Sequence, residues 1–192
     1  MHDNVGQGYS LANQYGNIVY FFILLVTGFY MGEDFFPDQY RLKNKNIFLS
    51  GIALMFLLYA VMILSYIVIH KFPFLQKRID LSLWQYFVKP WHEINIILSI
   101  ISVIMIVLAV ELFYRVYVQN TFNLFFSDNA SILLASALSG IRAASLGPIS
   151  GFVDFSLAVI WGFVYKRSGL LAAILTHLIW DILFVYFPFN LS

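Results

Sequence analysis

Six ionisable residues stand inside long apolar stretches of this sequence, where a charge is costly. They are Glu111, Arg115, Arg142, Asp154, His177 and Asp181. A charged side chain at the centre of a membrane helix costs about 2.5 to 3.5 kcal/mol on insertion scales, so those that persist usually face other helices and have partners. Glu111 and Arg115 are four residues apart, as are His177 and Asp181, so each pair shares one helical face. The six residues indicate either ion pairs between helices or a polar cavity in the second half of the chain.

The amino-acid composition indicates whether these charges lie in a water-soluble protein or in a membrane protein. Of the 192 residues, 61% are hydrophobic and 11% are charged, and the mean hydropathy is +0.81. A soluble domain needs more polar surface than this to cover its core. The net charge of +1 gives no electrostatic case for nucleic-acid binding, and the absence of cysteine excludes disulfides and thiolate chemistry. The sequence therefore predicts an integral membrane protein.

Apolar runs of about 20 residues are long enough to cross the hydrocarbon core as helices. The sequence predicts an all-α fold: a polytopic membrane helix bundle of about six transmembrane helices in one domain, residues 1–192. The predicted spans are 17–31, 47–69, 94–110, 131–146, 149–165 and 170–187. Residues 17–93 hold the first two spans and an amphipathic stretch, 81–88, expected at the membrane interface. Residues 94–187 hold the last four spans, and 113–126 are predicted to continue the third as a helix.

The fourth span has a small-residue pattern that favours close helix packing. Ser136, Gly140 and Ala144 recur at intervals of four, which lets membrane helices approach closely, so this helix is predicted to be central. An N-cap pair, a Gly-Pro stop and a tight basic turn are predicted at 128–129, 147–148 and 166–169.

The loop charges predict an orientation. Lys and Arg residues in alternate loops favour one side by six to four, and the larger group is expected to face the cytoplasm. That group comprises Arg41, Lys43, Lys45, Arg115, Lys166 and Arg167. Both termini are then expected on the opposite side.

The segment from Gly162 to Asp181 resembles the CAAX-protease and bacteriocin-processing (CPBP, or Abi) family of intramembrane metalloproteases. It has that family's basic turn, followed by a helix with the pattern His-x-x-x-Asn/Asp, here His177 and Asp181. Upstream, Glu111 and Arg115 match the later part of the family motif Glu-Glu-x-x-x-Arg. The resemblance covers roughly residues 94–187.

The resemblance implies peptide-bond hydrolysis, but two of the groups for it are replaced. In the family, the first Glu and the His of a second motif, Phe-x-x-x-His, activate a water, while the later His and Asn/Asp stabilise the oxyanion. Here the first Glu position is Val110, and the second motif falls on Ser139 to Ala143. Valine and alanine can neither accept a proton nor bind a metal. Arg142, beside the vacated position, is expected to fill the cavity and pair with Glu111, Asp154 or Asp181.

The sequence therefore predicts a catalytically degenerate CPBP member that acts as a binding or scaffold subunit for other membrane proteins. Glu111, His177 and Asp181 are its vestigial site, and Arg115, Arg142 and Asp154 are structural charges. One alternative is an active endopeptidase, of CAAX type or peptide-processing, that uses those three site residues; another is a small transporter.

No cofactor or metal is predicted, and zinc is expected only if the active alternative holds. The expected partners are membrane lipids and another membrane protein, with no nucleic acid. The expected location is the cell (inner) membrane of a prokaryote, as a multi-pass protein.

Overall fold

The computed structural model describes residues 19–31, 44–72, 74, 96–144 and 148–186, and within these every regular element is a helix. In chain order they are α1 (Val19–Met31), α2 (Lys45–Lys71), α3 (Ile96–Glu111), a π-helix (Leu112–Gln119), α4 (Asn120–Asn123), α5 (Asp128–Ala143), α6 (Pro148–Ser168) and α7 (Leu170–Tyr186). The predicted all-α class is confirmed.

Two helical stretches of the described chain are long and apolar enough to cross a membrane. They are Lys45–Ile69 and Val103–Asn123, whereas Val19–Met31 and Leu170–Leu183 are apolar but shorter. The count of about six spans stays a prediction, and the amphipathic stretch at 81–88 lies outside the described residues.

Helices α2, α6 and α7 pack together through a buried cluster of large side chains. Met55 of α2 is completely buried and packs with Trp161 of α6 and Trp180 of α7. Near the start of α2, the Ser168 hydroxyl at the end of α6 donates to the Asn44 carbonyl oxygen at 3.0 Å. The start of α2 and the end of α6 therefore lie at the same end of the bundle.

The small residues of α5 are used within this chain. A Cβ on Gly140 would lie 2.8 Å from Cβ of Phe155 and 2.9 Å from the carbonyl oxygen of Gly151. A Cβ on Gly151 would lie 2.8 Å from Cβ of Ala144. Because these distances are shorter than real Cβ contacts, α5 and α6 reach their separation only with glycine at the crossing.

Two predicted boundaries are wrong, and each has a local cause. The N-cap of α5 is Ser127, with φ −65° and ψ 157°, while Asp128 is already in the first helical turn, where a negative charge is stabilised by the helix dipole. The predicted turn at 166–169 shrinks to Gly169, because Lys166 to Ser168 complete the last turn of α6. Gly169 has φ 95°, a left-handed conformation that glycine adopts without steric cost.

Candidate functional site

Glu111 lies at the centre of a buried line of charged groups, the Glu111 row, formed by Arg115, Glu111, His177 and Asp181. Its Oε1 is 2.7 Å from Nδ1 of His177, and its Oε2 is 3.4 Å from Nε of Arg115. At the other edge of the ring, Nε2 of His177 is 3.8 Å from Oδ1 of Asp181. The row thus joins α3, the π-helix and α7.

Burial decreases along the row. The side chains of Glu111 and Arg115 are 0% exposed and that of His177 is 8% exposed, whereas that of Asp181 is 25% exposed. Among the described residues, no hydrogen-bond acceptor engages the guanidinium nitrogens of Arg115, so Glu111 is the group that balances its charge. Glu111 and Arg115, the buried part of the row, therefore depend on each other for charge compensation.

The π-helix keeps the polar residues of this segment on one buried side. In an α-helix, which has 3.6 residues per turn, residues four apart are separated by slightly more than one full turn. In a helix with i→i+5 hydrogen bonds, each turn contains more than four residues, so residues four apart are separated by slightly less than one turn. Glu111, Arg115 and Gln119 follow each other at four-residue steps and are all 0% exposed. The sequence predicted a helix here, but nothing in it predicted the wider turn.

Helix α6 supplies the surface against which the row packs. The indole of Trp161 stacks on the imidazole of His177, with ring centroids 3.7 Å apart and an interplanar angle of 14°. Next to it, a Cβ on Gly162 would lie 3.1 Å from Oε1 of Gln119 and 3.6 Å from Nη1 of Arg115. The missing side chain of Gly162 allows Gln119 to lie against α6, together with Ile132, whose Cγ2 would be 2.8 Å from a Cβ there, whereas the distance to Arg115 is ordinary van der Waals contact.

A second set of polar side chains, the Arg142 cluster, consists of Ser139, Arg142 and Asp154. Nη2 of Arg142 is 3.2 Å from Oδ1 of Asp154, and the Ser139 hydroxyl donates to Oδ2 at 2.5 Å. The Arg142 guanidinium carbon also lies 5.9 Å from the ring centroid of Phe21 in α1. With exposures of 29% and 22%, Arg142 and Asp154 are more accessible than the centre of the Glu111 row. Of the three carboxylates expected as partners of Arg142, Asp154 is the one in direct contact.

The positions where the family motif places water-activating groups are buried and apolar. Val110 is 4% exposed and packs in a cluster with Leu24, Ala109 and Tyr114. Ala143 is 6% exposed. Neither side chain has a donor atom, so the residues present do not fit a zinc ion. Among the described residues no group of three or more His, Asp or Glu could hold a metal.

Sequence reasoning missed the contributions of α6 to this site. Trp161 and Gly162 carry no local signal, because an apolar ring and a glycine in a membrane helix are ordinary. The hydrogen bond from Nδ2 of Asn120 to the Tyr165 hydroxyl, at 2.8 Å, joins residues 45 apart and was likewise missed. Gln119 had one signal, its four-residue spacing from Arg115.

Residues 91–183 match the family model described as type II CAAX prenyl endopeptidase, Rce1-like. No curated protein and no solved structure matches the chain. The match spans the Glu111 row and the Arg142 cluster, and it confirms the resemblance drawn from the motifs. Residues 91–183, just under half of the chain, are therefore similar to the CAAX-protease (CPBP) family of membrane-embedded endopeptidases.

Proposed function

We propose that this protein is a non-hydrolytic member of the CPBP family that binds another membrane protein. The observation that carries the proposal is the state of Glu111. Its side chain is 0% exposed, and its two carboxylate oxygens face His177 and Arg115. One oxygen is hydrogen-bonded to His177, and the other lies beside Arg115 without a hydrogen bond; a carboxylate held between these groups and closed to solvent is poorly placed to activate a water.

The chemistry of peptide hydrolysis supports this reading. A general base must lie within hydrogen-bonding reach of the water that it deprotonates. Val110 and Ala143, at the two positions from which the family would supply that help, have no basic atom and are buried. Withdrawing Glu111 from its partners to replace them would leave the buried Arg115 cation uncompensated, which costs several kcal/mol.

The outer face of α5 and α6 supports a role in partner binding. An open apolar groove of about 410 Å³ lies between the two helices, lined in part by Gly140, Ala144 and Gly151. Beside it, Ile141 is 69% exposed and Phe152 is 70% exposed. Small residues at the floor and large apolar residues at the rim suit a transmembrane helix of another protein.

Hydrolysis can be tested with the purified chain in liposomes and a set of prenylated peptides with free carboxyl termini. We expect the wild type to release no more product, by mass spectrometry, than the His177→Ala variant. Product that forms with the wild type and disappears in His177→Ala would overturn the proposal.

Partner binding can be tested with a photo-crosslinking amino acid at Ile141 in native membranes. We expect a discrete protein adduct there and none from the same probe at Leu57, which is 59% exposed on α2. Only lipid adducts from both positions would contradict the partner role.

One contact favours a second candidate, an active endopeptidase. The 2.7 Å contact between Glu111 and His177 pairs an acid with a base, as catalytic proton transfer requires. The liposome assay separates the two candidates, because the active enzyme requires a product that depends on His177.

A further inference from the structure

One end of the bundle combines exposed cations with an exposed apolar turn. We call it the basic end. It comprises the start of α2, the turn between α4 and α5, and the last turn of α6, with Lys45, Leu124, Phe125, Phe126, Asp128, Lys166 and Arg167.

Two contacts bring these segments to the same level. Nζ of Lys166 is 2.7 Å from Oδ1 of Asp128, which joins the last turn of α6 to the first turn of α5. The Ser168 hydroxyl donates to the Asn44 carbonyl oxygen, immediately before α2. The cations and the apolar turn therefore belong to one surface.

The turn between α4 and α5 is unusual in its exposure. Leu124 is 68% exposed, Phe125 76% and Phe126 52%. Three consecutive large apolar side chains in a turn between helices would be unfavourable in water. Aromatic and aliphatic side chains at a helix end are favourable at the boundary between headgroups and acyl chains.

The charges around this turn are mostly positive. Lys45, Lys166 and Arg167 are exposed, while Asp128 is the carboxylate that the described residues place among them. Arg115 had been counted with this side of the chain, but it is buried in the Glu111 row and cannot contribute to the surface. Among the residues that the structure describes, the basic end still carries three cations against one anion.

We propose that the basic end binds the anionic phospholipid headgroups of the cytoplasmic leaflet, with Leu124–Phe126 inserted at the acyl-chain boundary and the cations on the lipid phosphates. Apolar side chains beside cations match such a surface, because each Lys or Arg near an anionic membrane adds about fivefold to binding. An acidic protein segment would satisfy the cations but would leave the three apolar side chains in water. The proposal does not depend on whether the chain hydrolyses peptides.

Insertion of the turn can be measured directly, because the chain has no cysteine and Phe125→Cys would carry its single thiol. A nitroxide attached there, with the protein in vesicles of phosphatidylcholine and phosphatidylglycerol, should be more accessible to oxygen than to a water-soluble nickel chelate. The same label on Lys71→Cys, an exposed site at the far end of α2, provides the comparison. Chelate access at Phe125→Cys as high as for a label in free solution would overturn the insertion.

Lipid selectivity can be measured by native mass spectrometry of bound phosphatidylglycerol against phosphatidylcholine. The variant Lys45→Gln/Arg167→Gln keeps the Lys166–Asp128 contact and should lower the preference for phosphatidylglycerol by roughly 30-fold, since two cations are lost. Lys71→Gln should leave it unchanged. The proposal would be overturned if the double variant kept the wild-type preference for phosphatidylglycerol, or if Lys71→Gln lost as much of that preference as the double variant. An unchanged preference in the double variant would favour an acidic protein partner for these cations.

Discussion

The Glu111 row and the Arg142 cluster contain the same kinds of groups at different accessibilities. In the row, Glu111 and Arg115 are both 0% exposed; in the cluster, Arg142 and Asp154 are 29% and 22% exposed. Breaking a fully buried pair leaves a charge with no solvent to stabilise it, whereas a partly exposed pair can exchange its partner for water. The burial of each ion pair, rather than the number of ion pairs, therefore determines how much stability is lost when one of its residues is substituted.

This difference can be set against the motif alignment expected from the sequence, in which Glu111, Arg115 and His177 match the family and Val110, Ser139 and Ala143 do not. The retained residues Glu111, Arg115 and His177 depend on one another, so a single substitution among them is costly. The expected second motif overlaps the Arg142 cluster, in which Arg142 and Asp154 are partly exposed while Ser139 and Ala143 are themselves buried.

The largest effect is expected from Glu111→Gln. It leaves the buried Arg115 without a counter-charge, so the free energy of unfolding in mixed micelles should fall by about 3 to 5 kcal/mol. The double variant Glu111→Gln/Arg115→Met removes both charges and should be less destabilised than the single variant. If the double variant loses as much stability as the single variant, or more, the uncompensated charge of Arg115 is not the reason that Glu111→Gln is destabilising.

A smaller effect is expected where α5 crosses α6. Gly140→Ala places a Cβ 2.9 Å from a backbone oxygen and 2.8 Å from Cβ of Phe155, neither of which can move independently, so it should cost about 1 to 3 kcal/mol. Gly51→Ala is the matched control, because its Cβ meets side-chain methyl groups of Val164 and Thr176 at 3.0 and 3.3 Å. Chemical denaturation of the two variants in one detergent gives the comparison, and equal losses would argue against a rigid crossing.

Asp154→Asn tests the Arg142 cluster itself. Its pair is partly exposed and the amide oxygen can still accept from Ser139, so the expected loss is about 1 kcal/mol. This loss should be well below that of Glu111→Gln in the same unfolding assay. A loss of equal size would remove the contrast between the two sites.

The smallest effect is expected at the surface. Lys166→Gln removes the contact with Asp128, whose partners are 39% and 56% exposed, and exposed pairs contribute about 0.2 to 1 kcal/mol. Unfolding at low and high salt should show that the loss shrinks as salt screens the pair. A loss that does not respond to salt would point to packing instead of charge.

The sequence predicted the helices and the charged residues better than it predicted their contacts. Hydropathy located each described helix because apolar length is a local property of the chain. It also singled out Glu111 and His177, since ionisable residues stand out in apolar runs. Their 2.7 Å contact joins residues 66 positions apart and depends on the packing of α7 against α3, which four-residue spacing cannot express.

Two features of the site are set by geometry that composition does not encode. Gly162 is important because Gln119 of the π-helix lies against it. The small-residue stripe with Gly140 predicted close packing, but it did not identify α6 as the neighbouring helix. The glycine of this stripe faces Phe155 of the same chain, so the predicted close packing is used within the bundle.

The π-helix at Leu112–Gln119 makes this part of the chain sensitive to length as well as to residue type. Because a π-turn holds about one residue more than an α-turn, removing one residue from it would let the backbone return to ordinary α-helical winding with the flanking segments close to their present register. A related chain one residue shorter here could therefore keep the equivalent of Glu111 opposite His177 on an ordinary α-helix, so gaps in this stretch carry as much structural information as substitutions.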